Sequence, residues 1–452
     1  MYQKILIANR GEIAVRVIRA CRELGVRTVA VYSEPDHDAL HVRLADESEA
    51  IGPAKAAESY LNVQAILGAA TRHHVDAIHP GYGFLAENSH FAAVCKTWGL
   101  DFIGPEPETI ERMGSKTAAR QRMQQAGVPV VPGTPGACSE EEAVAFATEA
   151  GFPVLIKASA GGGGRGIRVA QTPDELRAAF GSAAREAAAS FGSPELYVER
   201  YLSSPRHVEF QVLADRHGHV LHLFERDSSL QRRRQKVLEE ALSPRLTPRL
   251  RAEMAAAAVA AARAVHYVGA GTVEFLVDGD DRFYFLEMNT RIQVEHPTTE
   301  MITGIDIVKE QIRVAANEPL RIGQSEVEAR GWSVECRINA EDPDNRFAPS
   351  PGTITRWSPP AGPWVRVDDG AYPGYTVQTH YDSLLCKVIS WGRDRPEAIA
   401  RMSRALAEFE VEGIRTTLPM HRRILADPDF LAGLYDTGWL ENTFMARGAQ
   451  RA

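Results

Sequence analysis

Four consecutive glycines set between two apolar runs constrain this chain more than any other feature. In Val154-Leu-Ile-Lys157-Ala-Ser-Ala-Gly161-Gly162-Gly163-Gly164-Arg165-Gly166-Ile-Arg-Val-Ala, β-rich segments flank the glycines, which predicts a strand–loop–strand hairpin and not a linker. Glycine reaches positive φ and lets the backbone approach a ligand closely, turning successive N–H groups toward anionic oxygens. Lys157 on the incoming strand and Arg165 at the end of the run bracket the loop with cations, which points to phosphate. The entropy lost in ordering so many glycines suggests a lid that closes on nucleotide. A glycine run alone fits a flexible surface hairpin equally well. No G-K-[ST] opens a helix afterwards, so this is not a Walker loop.

Around that hairpin the chain divides into three units, in keeping with 452 residues at about 150 per domain. The first, 1–113, alternates strand and helix patterns: Lys4 to Ala8, a helix over Glu12 to Leu24 closed by Gly25, Thr28 to Tyr32, a helix near Val63 to Thr71, and Val75 to His79. Such alternation predicts a parallel, doubly wound α/β sheet. Its first turn, Asn9-Arg-Gly-Glu, lacks G-x-G-x-x-G, so the scaffold is Rossmann-like without a dinucleotide fingerprint. Gly104-Pro-Glu-Pro-Glu marks the first boundary. The second unit, 114–330, mixes hairpins with alanine-rich helices near Ala178 to Ala189 and Ala252 to Ala264, and the lid is expected over about 130–203. The third, 331–452, opens on a strand at Val334 to Ile338 and carries a helix over Glu397 to Glu408.

A second hairpin carries acidic chemistry. Thr272-Val-Glu274-Phe-Leu-Val277 and Arg282-Phe-Tyr-Phe-Leu-Glu287-Met-Asn289 flank Asp278 to Asp281. A four-residue loop pairs Val277 with Arg282 and Glu274 with Phe285. Alternation then puts Glu274, Glu287 and Asn289 on one face with Leu276, while Val273, Phe275 and Val277 face the core. Two carboxylates and an amide, with no His or Cys nearby in sequence, are a hard oxygen set suited to Mg²⁺ on polyphosphate. Two like charges this close call for a cation between them, although an acidic stripe on a half-exposed hairpin also suits plain solvent contact. Arg291, Gln293 and Glu295 continue the same parity, giving an anion-binding guanidinium, an amide and a carboxylate able to take a proton.

Together, Lys157 with its glycine loop, the Glu274/Glu287/Asn289 face and Met288-Asn-Thr-Arg-Ile-Gln-Val-Glu-His resemble the ATP-grasp fold of biotin carboxylases. Ile5-Leu-Ile-Ala-Asn-Arg-Gly-Glu-Ile-Ala and His79-Pro-Gly-Tyr-Gly-Phe-Leu-Ala-Glu-Asn are similar to that family's opening domain, and the resemblance spans nearly the whole chain. It implies a Rossmann-like N-terminal domain, an ATP-grasp domain with a glycine-rich lid and a C-terminal biotin carboxylase domain. It also implies that ATP activates bicarbonate to carboxyphosphate, whose CO₂ carboxylates biotin N1′ on a carrier. By position, Lys116, Lys157, Gly162, Gly163, Gly164 and Gly166 would contact nucleotide phosphates; Glu199, Arg200 and Leu202 would line the adenine pocket with Leu276 beneath the ring; and His207 and Gln231 would lie near the ribose. Glu274 and Glu287, assisted by Asn289, would hold Mg²⁺, with Mn²⁺ able to substitute. Arg291, Gln293 and Val294 would bind bicarbonate, Glu295 would be its general base, Lys236 would sit by the reacting phosphate, Arg337 would stabilise the biotin enolate, and Tyr82 would belong to the substrate side. Arg234 stands where the family usually shows His, Arg200 where Lys is usual, and Ser115 where Asp is common.

The family resemblance further implies a biotin carboxyl carrier protein and carboxyltransferase subunits as partners, because no Met-Lys-Met attachment motif occurs here. The implied pathway is acetyl-CoA or acyl-CoA carboxylation in fatty acid biosynthesis. Arg16, Arg19, Glu23 and Arg366 match the family's dimer interface, implying a homodimer. A net charge of −8 leaves no global drive toward nucleic acid or anionic lipid. Five scattered cysteines outside any CxxC pair exclude a disulfide framework and a thiolate zinc site and fit a reducing compartment. With no membrane-length apolar run and no signal h-region, the expected location is cytoplasmic. The adjacent His73 and His74 point to different faces of a helix end and read as solvated, as does the alternation His207-Val-Glu209-Phe-Gln211 taken by itself. Two alternatives stay open: another ATP-grasp ligase joining a carboxylate to an amine, and a non-catalytic nucleotide-binding subunit.

Overall fold

The structure is a computed structural model, which describes residues 1–159 and 167–449. Arg165 and the expected phosphate-loop glycines Gly162, Gly163, Gly164 and Gly166 therefore lie outside the described residues.

β1 (Lys4–Ile7) is apolar enough to be buried on both faces, and it sits at the centre of a five-stranded parallel sheet. The order is β3-β2-β1-β4-β5, with β2 (Arg27–Ser33), β3 (Glu47–Gly52), β4 (Ala77–His79) and β5 (Asp101–Phe102). The helix Gly11–Glu23 follows β1 and buries Ile13, Val17 and Cys21, a helical spacing. Asn9 fixes the β1–helix turn by donating its side-chain amide to the carbonyls of Pro80 and Tyr82, both at 2.7 Å. Gly81 makes that approach possible: its φ is +62, and a Cβ there would lie 2.8 Å from the Asn9 amide nitrogen.

The glycine hairpin forms as its apolar flanks dictate. β6 (Val154–Ala158) pairs antiparallel with β7 (Ile167–Ala170) and with β8 (Leu196–Arg200), giving a small sheet in the order β7-β6-β8. The capped helices Glu140–Ala150 and Pro173–Phe191 bury alanines and Phe180 against it.

The dominant element is an eight-stranded antiparallel sheet. Its order is β13 (Phe283–Asn289), β12 (Gly269–Val277), β9 (Arg206–Ala214), β10 (Val220–Arg232), β11 (Gln235–Ala241), β14 (Trp332–Asn339), then the strands Leu384–Gly392 and Val365–Asp369. β11 and β14 pair through Leu238–Cys336, so one continuous sheet joins the middle of the chain to its C-terminal part. Alanines of the helix Pro248–Ala264 pack on one face with Val208, Phe210, Val273 and Phe275. The other face is polar and carries the site.

The acidic hairpin departs from the expected register. Val277 pairs with Phe283 and Phe275 with Phe285, and a bulge then sets Glu274 opposite Glu287. Asp278 and Arg282 belong to the turn, because the Asp278 carboxylate accepts from the N–H groups of Asp280 (2.9 Å) and Arg282 (3.0 Å). The Phe285 N–H is drawn off to the Pro129 carbonyl at 2.7 Å, which breaks the ladder where the bulge lies. The shift brings the two carboxylates closer than a diagonal pair.

Candidate active site

β9, β10, β12 and β13 present polar side chains to one face, and the chain beyond β13 folds back over it. The result is a cavity of about 1190 Å³ lined by Lys116, Lys157, Lys236, Glu274, Glu287 and Glu295, with the Glu199–Leu202 segment at one end and Arg337 at the other.

Lys236 organises its centre. The ammonium pairs with Glu209, with Glu274 at 2.9 Å and with Glu295 at 2.6 Å. Burial alone would lower its pKa, but the three carboxylates together outweigh burial and raise it. Burial likewise favours protonating Glu274 and Glu295. Lys236 and His207 overcome this at Glu274, while Lys236, Arg337 and Arg226 overcome it at Glu295, and both carboxyls are held well below the ordinary range. Glu295 is thus fully ionised and weakly basic in this arrangement, the opposite of the raised carboxyl a resting general base would show. Burial pushes the Glu209 carboxyl up to about 7 and raises Glu287, where Glu274 adds like-charge repulsion.

Glu274, Glu287 and Asn289 do come together. Glu287 accepts no hydrogen bond among the described residues, so it offers a free, raised carboxylate beside Glu274, a donor set that suits a hard divalent cation. The cation inferred between the two carboxylates is in part the protein's own: Glu274 receives Lys236, the Asn289 amide (2.8 Å) and the Gln293 amide (2.7 Å) on Oε1, and the His207 imidazole (2.7 Å) on Oε2. His207, distant in sequence, pairs with Leu276 across β9 and β12 and so joins this face. His207, Glu209 and Glu274 also cluster tightly enough for a metal, but both Glu209 oxygens are taken by Arg226 and Lys236. The solvated reading of His207-Val-Glu209-Phe-Gln211 is overturned: Glu209 and Gln211 are fully buried, because β9 is an inner strand whose polar face is covered by the site.

At the other end, Lys116 opens the helix Lys116–Gln125, whose N-cap is Ser115, and lines the cavity facing Glu287. Burial lowers its pKa. Lys157 is buried on β6 and pairs with Glu199, whose other oxygen accepts from Arg120 at 2.9 Å. Arg200, Leu202 and Leu276 line the cavity, as does Gln231, which touches the His207 ring at 2.6 Å. Arg233 and Arg234 form the β10–β11 turn with φ of 48 and 64 and also line it.

Arg291, Gln293 and Glu295 were expected to continue the strand. β13 instead ends at Asn289, and the following turn leads into the helix His296–Thr303, with Glu295 as its N-cap residue. Arg291 is tied to Glu87 and to Asn289 Oδ1, both at 2.9 Å. Val294 lines the cavity. Arg337 donates to Glu239 at 2.6 Å and Glu295 at 2.9 Å. Tyr82 is not among the lining residues; its hydroxyl donates to Glu12. Of the expected dimer residues, Arg16 is buried within the chain against Glu300 (2.9 Å) and Asp306 (2.6 Å), and Arg366 pairs with Glu300 and Asp368. Arg19 and Glu23 remain on the surface. His73 pairs with Glu47 and Glu49 and forms no metal pair with the exposed His74.

Sequence reasoning missed Glu87, Arg226 and Glu239. The available signal was the run Glu225-Arg226-Asp227-Ser228-Ser229, five polar residues inside a long strand and all buried. Such a run inside a sheet signals a polar site covering it.

A polar cavity at the face of an antiparallel sheet, bordered by β6 and β7 and furnished with lysines and paired carboxylates, defines an ATP-grasp ligase. Residues 115–323 match the family described as carbamoyl-phosphate synthase L chain, ATP binding domain. Residues 1–110 match the biotin carboxylase N-terminal domain, and residues 335–442 its C-terminal domain. The chain is 57% identical to Biotin carboxylase 1 of Bacillus subtilis over 98% of each chain. It is 53% identical to a pyruvate carboxylase chain of Methanothermobacter thermautotrophicus, covering 98% of this chain and 90% of that one. Among solved structures it is similar to the biotin carboxylase domain dimer of Hydrogenobacter thermophilus 2-oxoglutarate carboxylase in complex with MgADP, ADP and bicarbonate, with TM-score 0.94, 50% identity, and coverage of 98% of this chain and 97% of that one. The chain belongs to the biotin carboxylase family of ligases.

Proposed function

We propose that this chain uses ATP and bicarbonate to carboxylate biotin on a carrier protein through carboxyphosphate. One observation carries the reading: Glu295, held between Lys236 and Arg337, stands where the lysine- and carboxylate-lined cavity meets the Arg291–Gln293–Val294 turn. Bicarbonate bound by that turn draws Lys236 and Arg337 toward its own oxygens. Glu295 then loses the cations that keep it weakly basic, its pKa rises, and it takes the bicarbonate proton. The freed oxygen attacks the γ-phosphorus and the bond to ADP breaks, with Lys116, Lys157 and Lys236 neutralising the moving charge. Lys157 reaches the phosphates by leaving Glu199. Glu274 and Glu287, assisted by Asn289, would hold Mg²⁺ (or Mn²⁺), which would supply charge neutralisation for the phosphoryl transfer. The Glu199–Leu202 segment and Leu276 receive the adenine, and His207 with Gln231 the ribose. Carboxyphosphate breaks into CO₂ and phosphate, the phosphate takes the proton from biotin N1′, and N1′ adds to the CO₂ while Arg337 holds the enolate-like oxygen and Tyr82 borders the same side.

The proposed partners are a biotin carboxyl carrier protein and carboxyltransferase subunits, in the cytoplasm, with an acyl-CoA such as acetyl-CoA as final acceptor in fatty acid biosynthesis. Identity to chains named biotin carboxylase runs from 53% to 57%, against 53% and 50% for the pyruvate and 2-oxoglutarate carboxylase chains. Boundaries near 113 and 330 are proposed for the three domains. The test is ATP-dependent fixation of radiolabelled bicarbonate into free biotin. Label in carboxybiotin, lost in Glu295→Gln, supports the proposal; ATP turnover with no labelled biotin overturns it.

A further inference from the structure

Two buried cations grip the 293–295 turn from behind the cavity. Arg226 is fully buried on β10 and does not line the cavity. Its guanidinium donates to Glu209 (2.7 Å), Gln211 (2.7 Å), Thr272 (3.1 Å), Thr299 (3.1 Å) and Gln293 Oε1 (2.6 Å). A guanidinium only donates, so this last contact fixes the Gln293 amide with its oxygen inward and its NH₂ toward Glu274 and the cavity. Lys387, fully buried on the strand Leu384–Gly392, donates to the Val294 carbonyl at 2.8 Å and pairs with Glu12 at 3.1 Å. The Gln293 carbonyl is held by the His296 ring at 2.7 Å.

A planar trans peptide points its C=O and N–H in opposite directions. With the carbonyls of Gln293 and Val294 both anchored inward, the N–H groups of Val294 and Glu295 point away from those anchors. Neither donates to a protein group among the described residues. The turn is thereby preset as a row of donors of the kind a small oxyanion needs.

We propose that Arg226 and Lys387 are positioning residues that preset the Gln293–Val294–Glu295 turn to receive bicarbonate, each from a buried position outside the cavity lining. This rests on the assignment of that turn to bicarbonate made above. The cost of losing them falls on oxyanion binding, because neither side chain bonds to a residue assigned to the adenine or the ribose.

The experiment measures apparent KM for bicarbonate and for ATP in biotin-stimulated ATP hydrolysis, together with melting temperature. Arg226→Lys keeps the charge but cannot span Glu209 and Gln293 together. Glu12→Gln with Lys387→Met removes the anchor without stranding a buried carboxylate, and Gln293→Ala reports on the site itself. The expected result is a rise of about ten-fold or more in bicarbonate KM for both positioning variants, with ATP KM within about two-fold. Bicarbonate KM unchanged in both while Gln293→Ala raises it would overturn the positioning role and leave the site assignment standing. Gln293→Ala without effect would overturn the site assignment. Equal losses in both KM values alongside a lowered melting temperature would show a purely structural role and also overturn the proposal. If the double variant does not fold, Arg226→Lys gives the same readout.

Discussion

Replacing Lys236 with methionine withdraws an ammonium shared by Glu209, Glu274 and Glu295. At an effective dielectric of about 20, a unit pair at these separations interacts by about 6 kcal/mol, so the gross loss over three contacts is far larger than a fold's margin. The carboxylates escape most of it by taking up a proton. Holding one carboxyl protonated at pH 8, when its unperturbed pKa is about 4.3, costs about 5 kcal/mol; at pH 5.5 the cost is about 1.5 kcal/mol. His207, Arg226 and Arg337 continue to serve the remaining charges, so one proton suffices. The sign follows from linkage: the folded variant binds a proton that the unfolded chain lacks, so its stability falls as pH rises. In the parent, Glu274 and Glu295 sit well below their unfolded values, so their contribution is complete at both pH values and lost only in stronger acid. Glu209, pushed up to about 7, already takes a proton in the parent between pH 8 and pH 5.5, which offsets about 2 kcal/mol of the difference. Relative to the parent, Lys236→Met should therefore be about 1 to 2 kcal/mol worse off at pH 8 than at pH 5.5. That corresponds to roughly a further 4 °C of melting temperature in a unit of this sheet's size. Denaturant midpoints or thermal scans at the two pH values measure it. An equal deficit at both, or a larger one at pH 5.5, would refute the picture of Lys236 as the cation that keeps these carboxylates ionised.

Three further outcomes follow. Glu287→Gln should raise the Mg²⁺ concentration for half-maximal ATP turnover about ten-fold and leave bicarbonate KM within about two-fold, read by metal titration. Burial holds the Glu335 carboxyl well above its ordinary range, so Glu335→Gln, which mimics the protonated form, should change activity less than two-fold between pH 7 and 8; a large loss would mean that the carboxylate is needed. Trp364 stands 58% exposed beside Trp391, next to the edge strand that carries Arg366; on the proposal that this edge is the surface of a homodimer, Trp364→Glu should leave the chain monomeric in sedimentation velocity.

Much of this fold is legible from spacing. The apolar run of β1, the helix closed by Gly25 and the paired β runs around the glycines each form as local pattern requires, because burial of a periodic apolar face outweighs weak propensities. The β12–β13 register is not legible. It depends on Asp278 capping its own turn and on Pro129 taking the Phe285 N–H, and the second of these is a contact between segments far apart in sequence. Site residues with chemistry in their type, Lys236, Glu274 and Glu295, stand out once the family resemblance is seen. Their protonation does not: Glu295 is set by Lys236 on β11, Arg337 on β14 and Arg226 on β10, which the sheet alone brings together. Arg226 itself hides in a polar run that a period-two reading cannot orient. Tyr82 and Arg16 come from the family resemblance alone, and spacing does not reveal their contacts within the chain, Tyr82 to Glu12 and Arg16 to Glu300 and Asp306.

The most direct test of the central claim follows an oxygen atom. With ¹⁸O-bicarbonate, ATP, Mg²⁺ and biotin, direct attack of bicarbonate on the γ-phosphorus predicts one labelled oxygen in each phosphate released, and neither label nor turnover in Glu295→Gln. Unlabelled phosphate at an undiminished rate would mean that water is the nucleophile, and that Glu295 and its cations do not activate bicarbonate.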